Sequence, residues 1–206
     1  MAEPIRAGDV VLVDELGQGV VSASIALGER WRHGWDSPYA RWTHVAIVYD
    51  ATYQDPDAIP IVEATAASGV HTAFLSKYQR HYAVGHTHVD GRDTAQVKDF
   101  LDEVLQARER YDFVAYAGLF LYSLTGTAVC MQRAGTATCS GLVADALTRR
   151  GFVWTRPPYA MTPAGIAADL DRFGCPTTSF LADGTRTTLR GWLGQLIGAM
   201  PGAPRP

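Results

Sequence analysis

The sequence predicts an α+β fold in which a small antiparallel, barrel-like β-sheet packs against helices. Short runs of β-branched residues are concentrated in the first half of the 206-residue chain, and patterns with helical spacing dominate the second half. The composition, 47% hydrophobic and 19% charged, is typical of a folded globular protein. We expect one domain over residues 1–200 and a flexible tail over residues 201–206, a segment with almost nothing to bury.

The strands are predicted from runs of β-branched residues bounded by turns. A turn at Gly8 and Asp9 precedes the first run, and a turn-rich segment over residues 51–60 separates the second from the third, which predicts a hairpin with a long loop. Strands are therefore expected over residues 10–13, 44–50, 61–65 and 82–89.

The helices are predicted from apolar residues at helical spacing and from capping residues. Asp93 and Thr94 are interpreted as the cap of a helix, Gly151 as a stop, and Thr162 with Pro163 as a cap and first-turn proline. Helices are expected over residues 20–31, from residue 93 onward, and over residues 113–124, 140–150, 162–173 and 188–200.

Charge and cysteine content exclude several classes of function. The net charge of −3 and the absence of a Lys/Arg stripe argue against a nucleic-acid partner. Three cysteines with no Cys-x-x-Cys pair favour neither a disulfide framework nor a zinc ribbon. The apolar segment over residues 113–129 is interrupted by polar residues and is shorter than a bilayer span, so we expect a buried core helix there and no transmembrane segment.

Cys139 is the sharpest candidate for chemistry. It stands at the expected first turn of a helix, where unpaired N–H groups and the helix dipole stabilise a thiolate and can receive an oxyanion. Without other residues, Cys139 could equally be a small buried apolar side chain, as most free cysteines are. Cys130 and Cys175 lack this helix-start context and are expected to be structural.

His44 is the candidate base for such a thiolate, because histidine titrates near neutral pH and His44 begins the strongest predicted strand. Alternatively, His44 is only a polar residue at a strand end. His86 and His88 could share a face of one strand, but no cluster of further ligands accompanies them, so we expect neither a metal site nor a cofactor. His71 is interpreted as a surface or loop residue.

Glu63 is the candidate that orients His44. Alternation places Glu63 on the same strand face as Ile61 and Thr65, and a carboxylate in so apolar a strand needs a partner. A solvent-facing glutamate on an edge strand is the alternative.

The segment Cys139-Ser-Gly-Leu-Val143 resembles the nucleophile signature of the NlpC/P60 family of papain-like cysteine peptidases. In the common family the cysteine precedes the histidine, whereas here Thr43-His44 and then Val62-Glu63 come first. This order is similar to that of the circularly permuted, YiiX-like branch, whose members begin with a Gly-Asp-strand segment like the one at Gly8.

Further segments extend the resemblance over residues 8–170. Tyr111-Asp112-Phe113 resembles the family segment whose tyrosine helps to bind the oxyanion, and Thr162-Pro163 resembles the start of the next helix in permuted members. The spacing from Tyr111 to Cys139 is longer than in ordinary family members, and the residues after Gly174 have no counterpart. With Tyr111, we place Ser140 and Thr43 among the candidates for oxyanion or substrate binding.

The resemblance implies a cysteine hydrolase that cleaves an amide bond, in a peptide or a peptidoglycan stem peptide, through an acyl-enzyme. A lipid acyltransferase or lipase on the same fold, or a binding module without chemistry, is the alternative. The expected partners are therefore peptide, cell-wall or lipid-derived amides. The first residues lack the apolar stretch of a secretory signal, so the expectation is a cytoplasmic protein, or one that a phage or another route delivers to the cell wall.

Overall fold

A computed structural model of the chain describes residues 3–14, 27–28, 30–31, 34, 37–52, 55, 58–79, 81–87, 91–125 and 133–180. Over these residues the protein is α+β, as the sequence predicts. The main strands are β1 (Val10–Val13), β2 (His44–Val48), β3 (Pro60–Thr65), β4 (Gly69–Phe74) and β5 (Tyr82–Gly85). Two short strands, β6 (Arg110–Tyr111) and β7 (Thr136–Ala137), precede the last strand, β8 (Thr177–Ser179).

The main sheet is antiparallel, with the strand order β4-β3-β2-β1-β5-β8. The expected hairpin is present, because β2 pairs with β3 through Ile47↔Val62 and Val48↔Ile61. The expectation of a barrel-like sheet is wrong for the described part of the chain. There, β4 and β8 form two separate edges and the sheet stays open.

Four helices accompany the sheet in the part that the structure describes: α1 (Gly91–Gln106), α2 (Phe113–Thr125), α3 (Cys139–Thr148) and α4 (Pro163–Arg172). The first begins before Asp93, so Asp93 and Thr94 lie inside the helix and do not cap it. Thr162 does cap α4, where its hydroxyl accepts a hydrogen bond from Gly165 N.

The core has two parts, one on each face of the sheet. One face, which includes Val45 and Ile47 of β2 and Val62 of β3, packs against apolar side chains of α1, α3 and α4. The other face, which includes Ala46 and Val48, packs against Leu75 and Tyr78 from the 3₁₀ turn Leu75–Tyr78 that follows β4. Strand alternation therefore sends neighbouring residues of β2 into different environments.

A small parallel pair of strands connects the helical layer to the sheet. Tyr111 of β6 is in register with Ala137 of β7, two residues before α3 begins. The buried carboxylate of Asp112 fixes this junction by accepting hydrogen bonds from Val114 N, Ala115 N, Arg133 N and the hydroxyl of Thr136. Burial alone would raise the pKa of Asp112, but these hydrogen bonds outweigh burial and lower it.

Several expected elements extend beyond the described residues. Residues 27–28 and 30–31 are helical, as expected, but the rest of the predicted 20–31 helix lies outside, as do residues 88–89 of the fourth predicted strand. The predicted helix 188–200, the tail 201–206 and Cys130 lie outside as well. None of the helices that can be described has the length and hydropathy needed to cross a bilayer.

Candidate active site

His44 is the first residue of β2 and is anchored to β1 by main-chain pairing. Val13 of β1 is its partner in register, and Thr43 N donates to Val13 O at 3.0 Å. Only 13% of the His44 side chain is exposed. The central position of β1 and β2 in the sheet therefore holds the imidazole at a fixed place, as the sequence predicts.

Cys139 is the first residue of α3 and is buried, with an exposure of 3%. Thr138 is the N-cap, and its hydroxyl accepts from Gly141 N at 3.0 Å. Gly141 is needed for this close approach, because a Cβ there would lie 2.9 Å from Thr138 Oγ1. The cap leaves the sulfur at the positive end of the helix dipole.

Cys139 and His44 act directly on each other's pKa, although 95 positions separate them in the sequence. The backbone N–H groups of Val45 and Ser140 also lie near enough to the sulfur to favour its charged form. Burial alone would raise the pKa of Cys139, but His44 and these donors outweigh burial and lower it. Burial likewise opposes a charged His44, yet Cys139 and Glu63 raise the pKa of His44 to about 10. The two groups thus favour a thiolate–imidazolium pair.

Glu63 lies on β3 beside His44. Its oxygen Oε2 is 2.8 Å from His44 Nε2, so the nitrogen left to face Cys139 is Nδ1. The β2–β3 register, extended by one residue, places Glu63 opposite Ala46 and diagonal to His44 on the same face. Glu63 is fully buried, with an exposure of 0%, so it is not the solvent-facing glutamate of the alternative interpretation.

Glu63 has three further neighbours that the sequence did not predict. Lys77 Nζ donates to Oε1 at 2.5 Å, the Tyr78 hydroxyl donates to Oε2, and His71 Nε2 lies 3.2 Å from Oε1. Burial alone would raise the pKa of Glu63, but His44, Lys77 and Tyr78 lower it to about 2. His71, expected on the surface or in a loop, instead lies in β4.

Tyr111 lies close enough to Cys139 for the charges of the two groups to interact. It is buried, and burial together with the proximity of Cys139, Tyr116 and Asp112 raises its pKa, so its hydroxyl keeps a proton that it can donate. Asp112 N donates to Ala137 O at 3.0 Å, which fixes Tyr111 beside the residues that lead into α3.

Ser140 and Thr43 occupy different kinds of position. The Ser140 hydroxyl donates to Met161 O at 2.7 Å, so this side chain ties α3 to the turn before α4, while its backbone N–H faces the sulfur. Thr43 is buried immediately before His44, and its N–H is used in the sheet. The Ser140 hydroxyl is therefore used to hold α3 against the turn before α4, and the Thr43 N–H is used to pair with β1.

His86 belongs to a separate buried network. Its Nδ1 is 3.1 Å from Asp9 Oδ2 and its Nε2 is 2.8 Å from Thr178 Oγ1, which connects the start of β1, the end of β5 and β8. His88 lies outside the described residues. Within the residues that can be described, no group of three or more His, Cys, Asp or Glu side chains could hold a metal ion.

A pocket of about 320 Å³ lies beside α3, one helical turn from Cys139. Phe100 and Val104 of α1 and Leu142 of α3 form its apolar walls, and Glu109 and Asp145 add acidic groups. Burial raises the pKa of Glu109, and Asp145 and Glu103 add to this effect. The lining contains none of Cys139, His44 and Glu63, so the pocket is separate from the candidate active site.

Comparison of the chain with protein-family models gives no match. Comparison with curated proteins gives no significant match either.

Proposed function

We propose that the protein is a cysteine hydrolase that cleaves amide bonds, with Cys139 as nucleophile, His44 as general acid and base, and Glu63 as the group that orients His44. The observation that carries the proposal is the arrangement of three groups in which Glu63 Oε2 lies 2.8 Å from His44 Nε2, while His44 and Cys139 shift each other's pKa toward the charged pair. Three residues from β2, β3 and α3 meet in the order that thiol catalysis requires.

The mechanism follows from the charges. The Cys139 thiolate attacks the carbonyl carbon of an amide, and the His44 imidazolium then gives its proton to the departing amine as the C–N bond breaks. This leaves a thioester on Cys139 and a neutral His44. Water attacks the thioester while His44 takes its proton, and release of the acid restores the thiolate and the imidazolium.

The tetrahedral intermediate needs donors for its oxyanion. The N-terminus of α3 supplies backbone N–H groups next to Cys139, and the protonated hydroxyl of Tyr111 is a candidate second donor because burial keeps its pKa high. Both elements are present in the NlpC/P60 resemblance. We further propose that the open sheet with α3 against β2 is the permuted papain-like arrangement, in which histidine and glutamate precede the cysteine in the chain.

A second candidate is a lipid acyltransferase or lipase that uses the same three residues. One observation favours it. In α2, Phe113 and Leu121 are 55% and 46% exposed, and the Phe113 ring packs edge-on against Tyr111 with centroids 5.2 Å apart. An exposed apolar helix face beside the site suits an acyl chain better than a peptide.

The experiment that separates these functions is incubation with purified muropeptides and, separately, with phospholipid vesicles, followed by mass spectrometry of the products. Cys139→Ala protein is the control in both arms. New amines and acids from muropeptides support amide hydrolysis, whereas release or transfer of a fatty acyl chain supports the second candidate. A binding module without chemistry gives no product in either arm.

A further inference from the structure

We propose that Lys77 and Tyr78 are positioning residues, which fix the Glu63 carboxylate so that one of its oxygens stays on His44. This inference rests on the proposed function, because it concerns how the Cys139–His44 pair is held in its charged form. Neither residue belongs to the family resemblance that identified Cys139, His44 and Glu63.

The carboxylate of a glutamate does not orient itself. Its terminal torsion is broad, and its two oxygens are chemically equivalent. Here the partners distinguish them: His44 Nε2 and the Tyr78 hydroxyl bind Oε2, while Lys77 Nζ binds Oε1 at 2.5 Å. Rotation of the carboxylate would break both contacts of the 3₁₀ turn Leu75–Tyr78 at the same time.

The two side chains suit this role in different ways. Tyr78 is 2% exposed and its ring lies 6.1 Å from the His44 ring, so it packs against the imidazole as well as donating to Glu63. Lys77 is 41% exposed but its ammonium turns back over the Tyr78 ring, with Nζ 5.3 Å from the centroid. A lysine can only donate, so it holds Oε1 as an acceptor at any pH at which it is charged.

His71 completes the surroundings of Glu63. Its Nδ1 lies 3.0 Å from Gly69 O and its Nε2 lies 3.2 Å from Glu63 Oε1. Both of these oxygens are acceptors, so the two contacts form together only when both ring nitrogens carry protons. Lys77 and Tyr78 need no such condition, and for this reason they carry the positioning role.

The test measures the rate of alkylation of Cys139 by iodoacetamide from pH 4 to pH 10, with peptide mapping by mass spectrometry. The readout reports the thiolate and needs no substrate. The variants are Tyr78→Phe and Lys77→Met. Tyr49→Phe is a matched control, since its hydroxyl donates to Asp102 at 2.6 Å outside the site, and Lys98→Met on α1 is the second.

We expect Tyr78→Phe and Lys77→Met to move the acid limb of the profile upward by about half to one pH unit, which slows labelling by about three- to tenfold at pH values below the wild-type midpoint of that limb. Lys77→Arg, which keeps the cation and its donors, should stay within about twofold of wild type. Both control variants should reproduce the wild-type profile, whatever small losses they show in thermal unfolding.

The direction of the shift discriminates between roles. If Lys77 only neutralised Glu63, its removal would strengthen the imidazolium and move the acid limb downward, which would overturn the positioning role. If the acid limb stays unchanged in both variants while wild-type Cys139 still reacts at a lower pH than an ordinary thiol, that result would overturn the positioning role but leave the proposed function intact. A wild-type profile of an ordinary thiol, with its midpoint at about pH 8.5, would instead overturn the proposed function.

Discussion

Opposing effects act on the pKa of Cys139. Burial opposes its charge, while His44 and two backbone N–H groups favour it, and the net pKa is lowered. For Cys175, burial is the largest influence and raises the pKa of the thiol. We therefore expect two buried cysteines in one protein to differ in reactivity because of their neighbours and not because of their exposure.

We therefore expect iodoacetamide at pH 7 to label Cys139 well before Cys175 and Cys130. An ordinary thiol loses about tenfold in rate for each pH unit below its pKa of about 8.5, so the advantage of Cys139 should widen as the pH falls. Time-resolved peptide mapping of all three cysteines measures this. Equal labelling of the three, in protein that is still folded, would contradict the thiolate.

The three proposed catalytic residues should differ in how much activity their removal costs. Cys139→Ala and His44→Ala should each lower turnover by about 10³-fold or more, because nucleophile and base act as a unit. Glu63→Gln should cost about 10- to 100-fold, because its amide oxygen can still accept from the imidazole. Initial rates on the substrate identified by mass spectrometry provide the measurement, and circular dichroism checks the fold. Near-normal turnover in His44→Ala would assign the base to another residue.

At the scale of elements, α3 and α4 begin with the same kind of N-cap. Thr138 and Thr162 are N-caps in extended conformation, and each accepts from the N–H of a glycine three residues later, at 3.0 and 3.1 Å. The caps are therefore matched in geometry, but only that of α3 adjoins Cys139.

This pair allows a controlled prediction. Thr138→Ala and Thr162→Ala should each lower the free energy of unfolding by about 1 kcal/mol. Only Thr138→Ala should also slow alkylation of Cys139 on the acid limb of its pH profile, by about twofold or more, because it loosens the helix start that stabilises the thiolate. Denaturant unfolding and labelling rates measure the two effects. Equal slowing in both variants would mean that the cap acts through global stability alone.

Some of these elements could be predicted from the sequence alone. The cap and proline of α4 and the strand that begins at His44 follow from local chemistry, and both are confirmed. The prediction missed β4 (Gly69–Phe74), although the Ser68-Gly69 turn after β3 and the alternation that follows are a hairpin signal. Because β4 was not predicted, the position of the following turn was unknown, and the contacts of Lys77 and Tyr78 with Glu63 could not be predicted.

At the scale of the whole molecule, the order of the strands in the sheet brings the residues of the candidate site together. β1 lies between β2 and β5, and β3 follows β2, so His44 and Glu63 are neighbours on one face, and Cys139 at the start of α3 meets His44 at the first residue of β2. The pairing of His44 and Glu63 could be predicted from parity on two adjacent strands. The open edges of the sheet could not be predicted, because the strand patterns in a sequence do not show whether the last strand pairs with the first.

Glu63 also links the site to the pH dependence of global stability. Its pKa is lowered from 4.5 to about 2 in the folded protein, so the unfolded chain takes up this proton first as the pH falls. The stabilisation from Glu63 is therefore complete above about pH 4.5 and is lost as the pH falls through about 2. The pKa of His44, raised to about 10, has the opposite sign, and its contribution is complete below about pH 6.5 and lost as the pH rises through about 10.

We predict that the stability difference between wild type and Glu63→Gln is greatest from about pH 5 to pH 8 and shrinks steadily between pH 4.5 and pH 2, because glutamine has no proton to gain. Urea unfolding at half-unit pH steps measures the difference. Asp99→Asn, which alters an exposed carboxylate on α1, is the control, and its difference from wild type should be small throughout. A Glu63→Gln difference that stayed constant down to pH 2 would mean that the buried carboxylate is not held in its charged form by His44, Lys77 and Tyr78. The proposed role of Glu63 in orienting His44 would then lose its support.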